Sequence, residues 1–66
     1  MNKLEQLEKD ISLLPKPIAT RALSLLNACG ITELKYYMLG VYDMEKVAMI
    51  DDVYITILLR ILIVLK

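Results

Sequence analysis

Apolar residues recur at helical spacing at the start of the chain. The apolar residues that show this spacing are Leu4, Leu7, Ile11 and Leu14. Their separations of three, four and three residues place them on one side of a helix. Asn2 suits a helix cap, with Glu5 three residues later as its partner in a capping box. Pro15 disfavours helical geometry at the residue before it, so the pattern predicts a first helix that ends ahead of Pro15.

A second amphipathic segment follows a short proline corner. Pro17 suits the first turn of a helix, and Gly30 fits a left-handed stop at the end of one. We therefore predict a second helix over residues 18–29, with a small buried cysteine, Cys29, at the end of its apolar face. That face comprises Ile18, Ala22, Leu25 and Cys29, widened by Ala19, Leu23 and Leu26.

The third segment, residues 32–50, allows two interpretations. Thr32 is placed as a helix cap, and the apolar stripe after it comprises Leu34, Tyr37, Met38 and Val41. Gly40 weakens a helix by about 1 kcal/mol relative to alanine. Asp43 could cap a fresh helix that continues to Ile50. The pattern leaves open whether this region is one kinked helix or two short ones.

The last segment is almost entirely apolar. Eleven of the thirteen residues at positions 53–65 are apolar, and only Thr56 and Arg60 interrupt them with a narrow polar strip. Asp51 and Asp52 are placed to cap it as a helix. A strand is the alternative because Val, Ile and Tyr are abundant, but the segment lacks period-2 alternation and is long for a strand. A helix that is apolar almost all round is expected to be buried.

Length and cysteine count indicate how such a helix is buried. A single domain of 66 residues, 1–66, has a marginal core of its own. One cysteine excludes a disulfide within the chain, and the absence of histidine argues against structural zinc. We therefore predict an all-α fold, a small bundle of four helical segments whose C-terminal apolar helix is central and shared between the copies of a homodimer. The residues expected to self-associate are Tyr54, Ile57, Leu58, Ile61, Leu62 and Leu65.

The balanced charge and the absence of typical catalytic residues argue against several classes of protein. Eight lysines and arginines balance eight aspartates and glutamates, which argues against a basic nucleic-acid interface. Without histidine or a phosphate-binding glycine loop, we expect no enzyme, no cofactor and no metal. The polar N-terminus does not resemble a secretory signal, and a lone cysteine fits a reducing compartment, so we expect a cytoplasmic protein. Met1 and the well-capped first helix favour a complete small protein over a fragment.

A chain with a core and no reactive group acts through its shape. The first expectation is a small self-associating regulator, inhibitor or adaptor that binds a larger protein. Tyrosine and arginine are enriched at binding hot spots. The exposed parts of the second and third helices supply the candidate partner-binding residues, namely Arg21, Lys35, Tyr37, Tyr42 and Lys46.

Two other classes remain as alternatives. Residues 20–39 resemble the helix-turn-helix family, with Gly30 in the turn. That resemblance implies a DNA-binding regulator in which Ile31, Tyr36 and Leu39 face inward, and Glu33, Lys35 and Tyr37 face the major groove. The third alternative is a membrane-associated protein that uses the C-terminal helix, although the thirteen residues of this segment reach only about 20 Å across a hydrocarbon layer of roughly 30 Å.

Overall fold

A computed structural model describes residues 2–48 and 51–66 of the chain. These residues form four α-helices: α1 (Lys3–Ser12), α2 (Lys16–Ala28), α3 (Ile31–Ala48) and α4 (Asp52–Leu65). The prediction of an all-α bundle of four helical segments is confirmed. The accessible surface is 4577 Å², close to the about 4,300 Å² that surface scaling gives for a compact monomer of this mass. The single chain therefore packs compactly by itself.

The four helices close into a ring. In the described part of the chain each helix packs against the helices before and after it, and α4 completes the ring by packing between α3 and α1. Within one chain α4 is therefore not central, because sequential helices lie side by side and leave no position that three of them surround. Whether α4 is shared between copies stays a prediction.

The α1 helix begins as its sequence indicates. The Oδ1 atom of Asn2 accepts a hydrogen bond from the backbone N–H of Glu5 at 2.8 Å, so the predicted cap is confirmed. The helix ends at Ser12, before the proline corner. Leu13 and Leu14 donate to carbonyls three residues earlier, at 3.1 and 3.0 Å, which tightens the chain as it approaches Pro15.

The α2 helix starts at Lys16, two residues earlier than predicted, with Pro17 in its first turn as expected. It ends at Ala28. Gly30 has φ +97°, so the predicted left-handed stop is confirmed. The backbone N–H groups of Cys29 and Gly30 both donate to the carbonyl of Leu25, at 2.8 and 3.0 Å. These bonds satisfy a helix-end carbonyl while the chain turns into α3.

The prediction of a buried Cys29 is wrong. Its thiol is free and exposed, because α2 has already ended at Ala28 and Cys29 lies in the turn that follows. The buried residues of α2 are Ala19 and Ala22, and Ile18, Leu23 and Leu26 are partly buried against the core. Small side chains in the middle of α2 let this helix lie close to its neighbours.

Replacement of either glycine by alanine is expected to change the free energy of unfolding, in opposite directions at the two positions. Gly30→Ala should lower the free energy of unfolding by about 1–2 kcal/mol, because an L-residue is strained at φ +97°. Gly40→Ala should raise it by up to about 1 kcal/mol, since Gly40 is helical and an added Cβ meets nothing within 4 Å. Urea unfolding followed by circular dichroism measures both changes. Equal effects at the two sites would contradict the assigned backbone geometry.

The α3 helix is continuous from Ile31 to Ala48. The helix begins one residue before Thr32, so the prediction that Thr32 caps it is wrong. Asp43 lies inside it and does not start a new helix. Leu34 and Met38 are fully buried, and Tyr37 and Val41 pack against them, which confirms the predicted stripe. Burial of that stripe outweighs the modest cost of Gly40. The part of the prediction that concerns Ile50 lies outside the described residues.

The α4 helix confirms the helical interpretation of the last segment. The Oδ1 atom of Asp51 accepts a hydrogen bond from the N–H of Val53 at 3.0 Å, as a helix cap does. Thr56 donates its hydroxyl proton to the carbonyl of Asp52 at 2.9 Å. No helix of the described ranges combines the length and the hydrophobicity that crossing a bilayer requires.

Candidate interaction surfaces

Within one chain the α4 helix is buried on one side, and the expected cover of the other side by a second copy stays a prediction. One side of the helix packs into the core through Ile57, Leu58, Ile61 and Leu65. The opposite side stays open because α3 and α1 are its only helical neighbours in the described part of the chain. The exposed apolar residues are Leu59 and Ile63 on this open side, and Val53 and Val64 at its border with the α1 side, where they line grooves with Leu13 and with Leu4. We call these four residues of helix α4 the α4 outer face; Ile63 is the most exposed of them, at 69%.

The six residues predicted to self-associate lie on the inner side of α4. Four of them, Ile57, Leu58, Ile61 and Leu65, are buried in the core of their own chain. Tyr54 and Leu62 are partly buried and pack against that core. The structure thus brings all six together, in contact with helices of the same chain. A second copy would meet the α4 outer face first.

An ion pair joins α4 to α1. The Asp10 carboxylate is buried, and its Oδ1 atom accepts a hydrogen bond from Arg60 at 2.7 Å and another from Gln6 at 3.1 Å. Asp10 lies beside Leu7 and Ile11 on the inner face of α1. A buried carboxylate needs such partners because its desolvation is costly. The pair therefore fixes how the first and last helices meet.

A second exposed apolar stripe runs along α3. Tyr36, Gly40, Met44 and Val47 are separated by four, four and three residues, so they share one side of the helix. That side is turned away from Leu34 and Met38, and Met44 brings its edge next to Tyr37. Tyr36, Met44 and Val47 are 67%, 74% and 83% exposed, more than most apolar residues of the chain. We call these four residues the α3 outer stripe. Sequence reasoning missed it, although its helical spacing is visible in the sequence.

An apolar groove of about 460 Å³ separates α3 from the start of α2. Ile18 of α2 forms one wall, and Tyr37 and Val41 of α3 form the other. The edge is built by Tyr36, Gly40 and Met44 of the α3 outer stripe, and Glu45 also lines the groove. The Oε2 atom of Glu45 is buried and has no hydrogen-bond partner among the described residues.

The five predicted partner-binding residues do not form one surface. Arg21 is exposed on α2, and the other four belong to α3. Lys35, Tyr42 and Lys46 share one side of that helix by their spacing, and the Lys46 Nζ atom lies 5.7 Å from the centre of the Tyr42 ring. Tyr37 lies on another side, in the groove.

The inward positions implied by the helix-turn-helix resemblance are not met. Ile31, Tyr36 and Leu39 are all exposed, and Leu34 and Met38 are buried instead. Tyr37, which the resemblance placed in the major groove of DNA, packs against the core. The α2–Gly30–α3 corner therefore shares its order of elements with that family but not its pattern of inward-facing residues.

The side chains with reactive or ligating groups are dispersed. In residues 2–48 and 51–66 no three acidic or cysteine side chains come together in a group that could hold a metal ion. Asp51 caps α4, Asp10 pairs with Arg60, and Cys29 lies in the turn between α2 and α3. The features that distinguish the surface are the two exposed apolar faces and the groove.

Comparison of the chain with protein-family models, curated proteins and solved structures found no match. The fold and its surfaces define the class: within its described residues, this is a compact four-helix protein with exposed apolar faces on α3 and α4.

Proposed function

We propose that this chain is a small non-enzymatic interaction protein of the cytoplasm that self-associates and binds a larger protein. The observation that carries the proposal is the α4 outer face, a set of large aliphatic side chains left exposed on the most hydrophobic helix of the chain. Burying one such side chain contributes roughly 1.5–3 kcal/mol. Contact between two α4 outer faces is therefore a strong source of free energy for association.

The size of a stable interface indicates how two copies would meet. Specific interfaces bury about 800 Å² on each partner, roughly a sixth of the 4577 Å² of this chain. A helix as short as α4 does not present that much surface alone. The adjoining groove, where Leu13 just after α1 meets Val53 and Ile57, extends the apolar area on the α1 side, with Thr56 and Arg60 also lining it. A two-fold axis near Leu59 and Ile63 would use these residues from both copies.

Ile63→Glu is expected to disrupt self-association. Two-fold symmetry places the new carboxylate in the interface twice, and burial of each costs more than burial of a neutral unpaired polar group, which costs about 1–3 kcal/mol. We expect the dimer Kd to rise at least about 100-fold, as measured by sedimentation equilibrium over a range of protein concentrations.

Val47→Glu is the matched control, since Val47 is also exposed and aliphatic but lies on α3. It should leave the dimer Kd within about threefold of the original value, as expected for a substitution away from the interface. A wild-type chain that stays monomeric at high micromolar concentration would refute self-association. Loss of the dimer in Val47→Glu alone would move the interface from α4 to α3.

A further inference from the structure

We propose that the groove between α2 and α3 binds a helix of a larger protein, one whose apolar face carries a single lysine or arginine that pairs with Glu45. This inference rests on the proposed function, because it names the chemistry of the partner that the interaction protein recognises. It uses a surface separate from the α4 outer face.

The shape of the groove suits a helix. Its walls, Ile18, Tyr37 and Val41, are held in place by packing against the core. The position of Gly40 at the edge is open, because a Cβ atom added there meets nothing within 4 Å. A glycine flanked by Tyr36 and Met44 lets the side chain of a docked helix approach the α3 backbone closely.

The apolar pattern of α3 also indicates a missing neighbour. One stripe, including Leu34 and Met38, is buried in the core, and the α3 outer stripe is exposed on a side turned away from those two residues. A helix that is apolar on two sides is expected to have contacts on both. The structure supplies the inner contacts, and a docked helix would cover Tyr36, Gly40 and Met44.

The charge of the groove selects a cationic partner. Glu45 is the one charged residue among those that line it. Its Oε2 atom is buried and unpaired within the described ranges, and a buried acceptor without a donor is costly. In the described chain the ion pair within 4.0 Å joins Arg60 to Asp10 and does not involve Glu45. The Oε2 atom has almost no accessible surface, so a lysine or arginine from outside would be attracted by the charge of the Glu45 carboxylate rather than bond to Oε2 itself.

A second copy of this chain does not offer that combination. None of the four residues of the α3 outer stripe carries a positive charge. On α4 the cations next to the outer face are Arg60, which is already bonded to Asp10, and Lys66 at the end of the helix, and the proposed dimer contact occupies that face. The occupant is therefore assigned to a different protein.

Designed peptides test the groove directly. The chain contains no tryptophan, so a single tryptophan in an amphipathic helical peptide of about 18 residues, roughly 27 Å long, reports binding by its fluorescence. One peptide carries lysine at the edge of its leucine-rich face, and a matched peptide carries glutamine there. We expect the lysine peptide to bind the wild-type chain about tenfold more tightly.

Two substitutions separate charge from shape. Glu45→Gln should remove the preference for lysine and bring the two peptides to equal affinity. Gly40→Leu should weaken both peptides about tenfold or more by filling the groove. Gly40→Ala, which fits without a clash, should weaken them less. Circular dichroism of each variant verifies that it is folded.

The outcomes also separate this inference from self-association. Peptide binding that persists in Ile63→Glu supports a groove that works independently of the dimer, even if α4 proves not to self-associate. Equal affinity of the two peptides for the wild-type chain, or no effect of Gly40→Leu, would overturn the inference. Loss of the dimer in Gly40→Leu would overturn it too, because the occupant would then be a second copy.

Discussion

Leu58→Ala is expected to remove most of the stability of the folded chain. Leu58 is 0% exposed, at the centre of the side of α4 that faces the core. Replacing a buried leucine by alanine costs about 2–5 kcal/mol, from lost burial and from the cavity that remains. A core of this size supplies only about 3–5 kcal/mol in total. We therefore expect a chain that is largely unfolded at room temperature, as measured by urea unfolding with circular dichroism.

Leu59→Ala provides a matched control at the next position. Leu59 is 42% exposed on the α4 outer face, so the same substitution should cost less than about 1 kcal/mol in the monomer. Both variants should be measured at two protein concentrations, because association also stabilises the folded state. Similar losses at the two positions, independent of concentration, would show that the inner and outer sides of α4 are assigned incorrectly.

Arg60→Met is expected to lower the free energy of unfolding by about 2–3 kcal/mol. The substitution leaves the Asp10 carboxylate buried with Gln6 as its remaining side-chain donor. Hydrogen bonds to charged groups contribute about 1.5–3 kcal/mol, and a fully buried charge left unpaired costs about 3–5 kcal/mol. We place the effect below the second range because the Arg60 side chain is itself 51% exposed, which lets water reach the site. Thermal or urea unfolding measures the loss.

A second substitution tests the physical cause of that loss. If the penalty comes from an unpaired carboxylate, Asp10→Leu in the Arg60→Met background should recover most of the lost stability. The double variant keeps an apolar contact between α1 and α4 in place of the ion pair. Additive losses from the two substitutions would mean that Asp10 and Arg60 stabilise the chain separately.

Local signals in the sequence predicted the helices well. The three-and-four spacing of apolar residues identified α1, and Asn2 and Asp51 were both predicted as caps and both accept the expected backbone hydrogen bonds. The left-handed geometry at Gly30 followed from its place after an apolar stripe. Caps and stops depend on a few adjacent residues, so they can be read without knowledge of the tertiary structure.

Signals that depend on distant contacts were not predictable. Gly40 and Asp43 left α3 undecided, because their local preference for a break is small and the packing of Leu34 and Met38 overrides it. Because apolar residues of α4 occur around almost its whole circumference, the sequence does not reveal which side of this helix faces the core. Only the positions of α1 and α3 determine that Leu58 is buried and Leu59 is exposed.

The features of the candidate surfaces also separate into those that a local sequence pattern predicts and those that depend on the tertiary structure. The ion pair joins residues 10 and 60, which no local pattern connects, although a carboxylate on the inner face of α1 was a sign that it needed a partner. The α3 outer stripe could have been found from its spacing. The unpaired Oε2 atom of Glu45 could not, because its burial depends on how α2 lies against α3.

The ring of helices has a consequence for the order of assembly. Three of its four contacts join helices that follow each other in the chain, and only α4 against α1 joins distant segments. Contacts between neighbours in sequence form quickly, since little loop entropy is lost, so closing the ring is expected to be the slow step. Lys3 and Leu4 border the same groove as Val64 and Leu65. The two ends of the polypeptide therefore meet where the ring closes, and a short tether between them would turn the slow step into a local one.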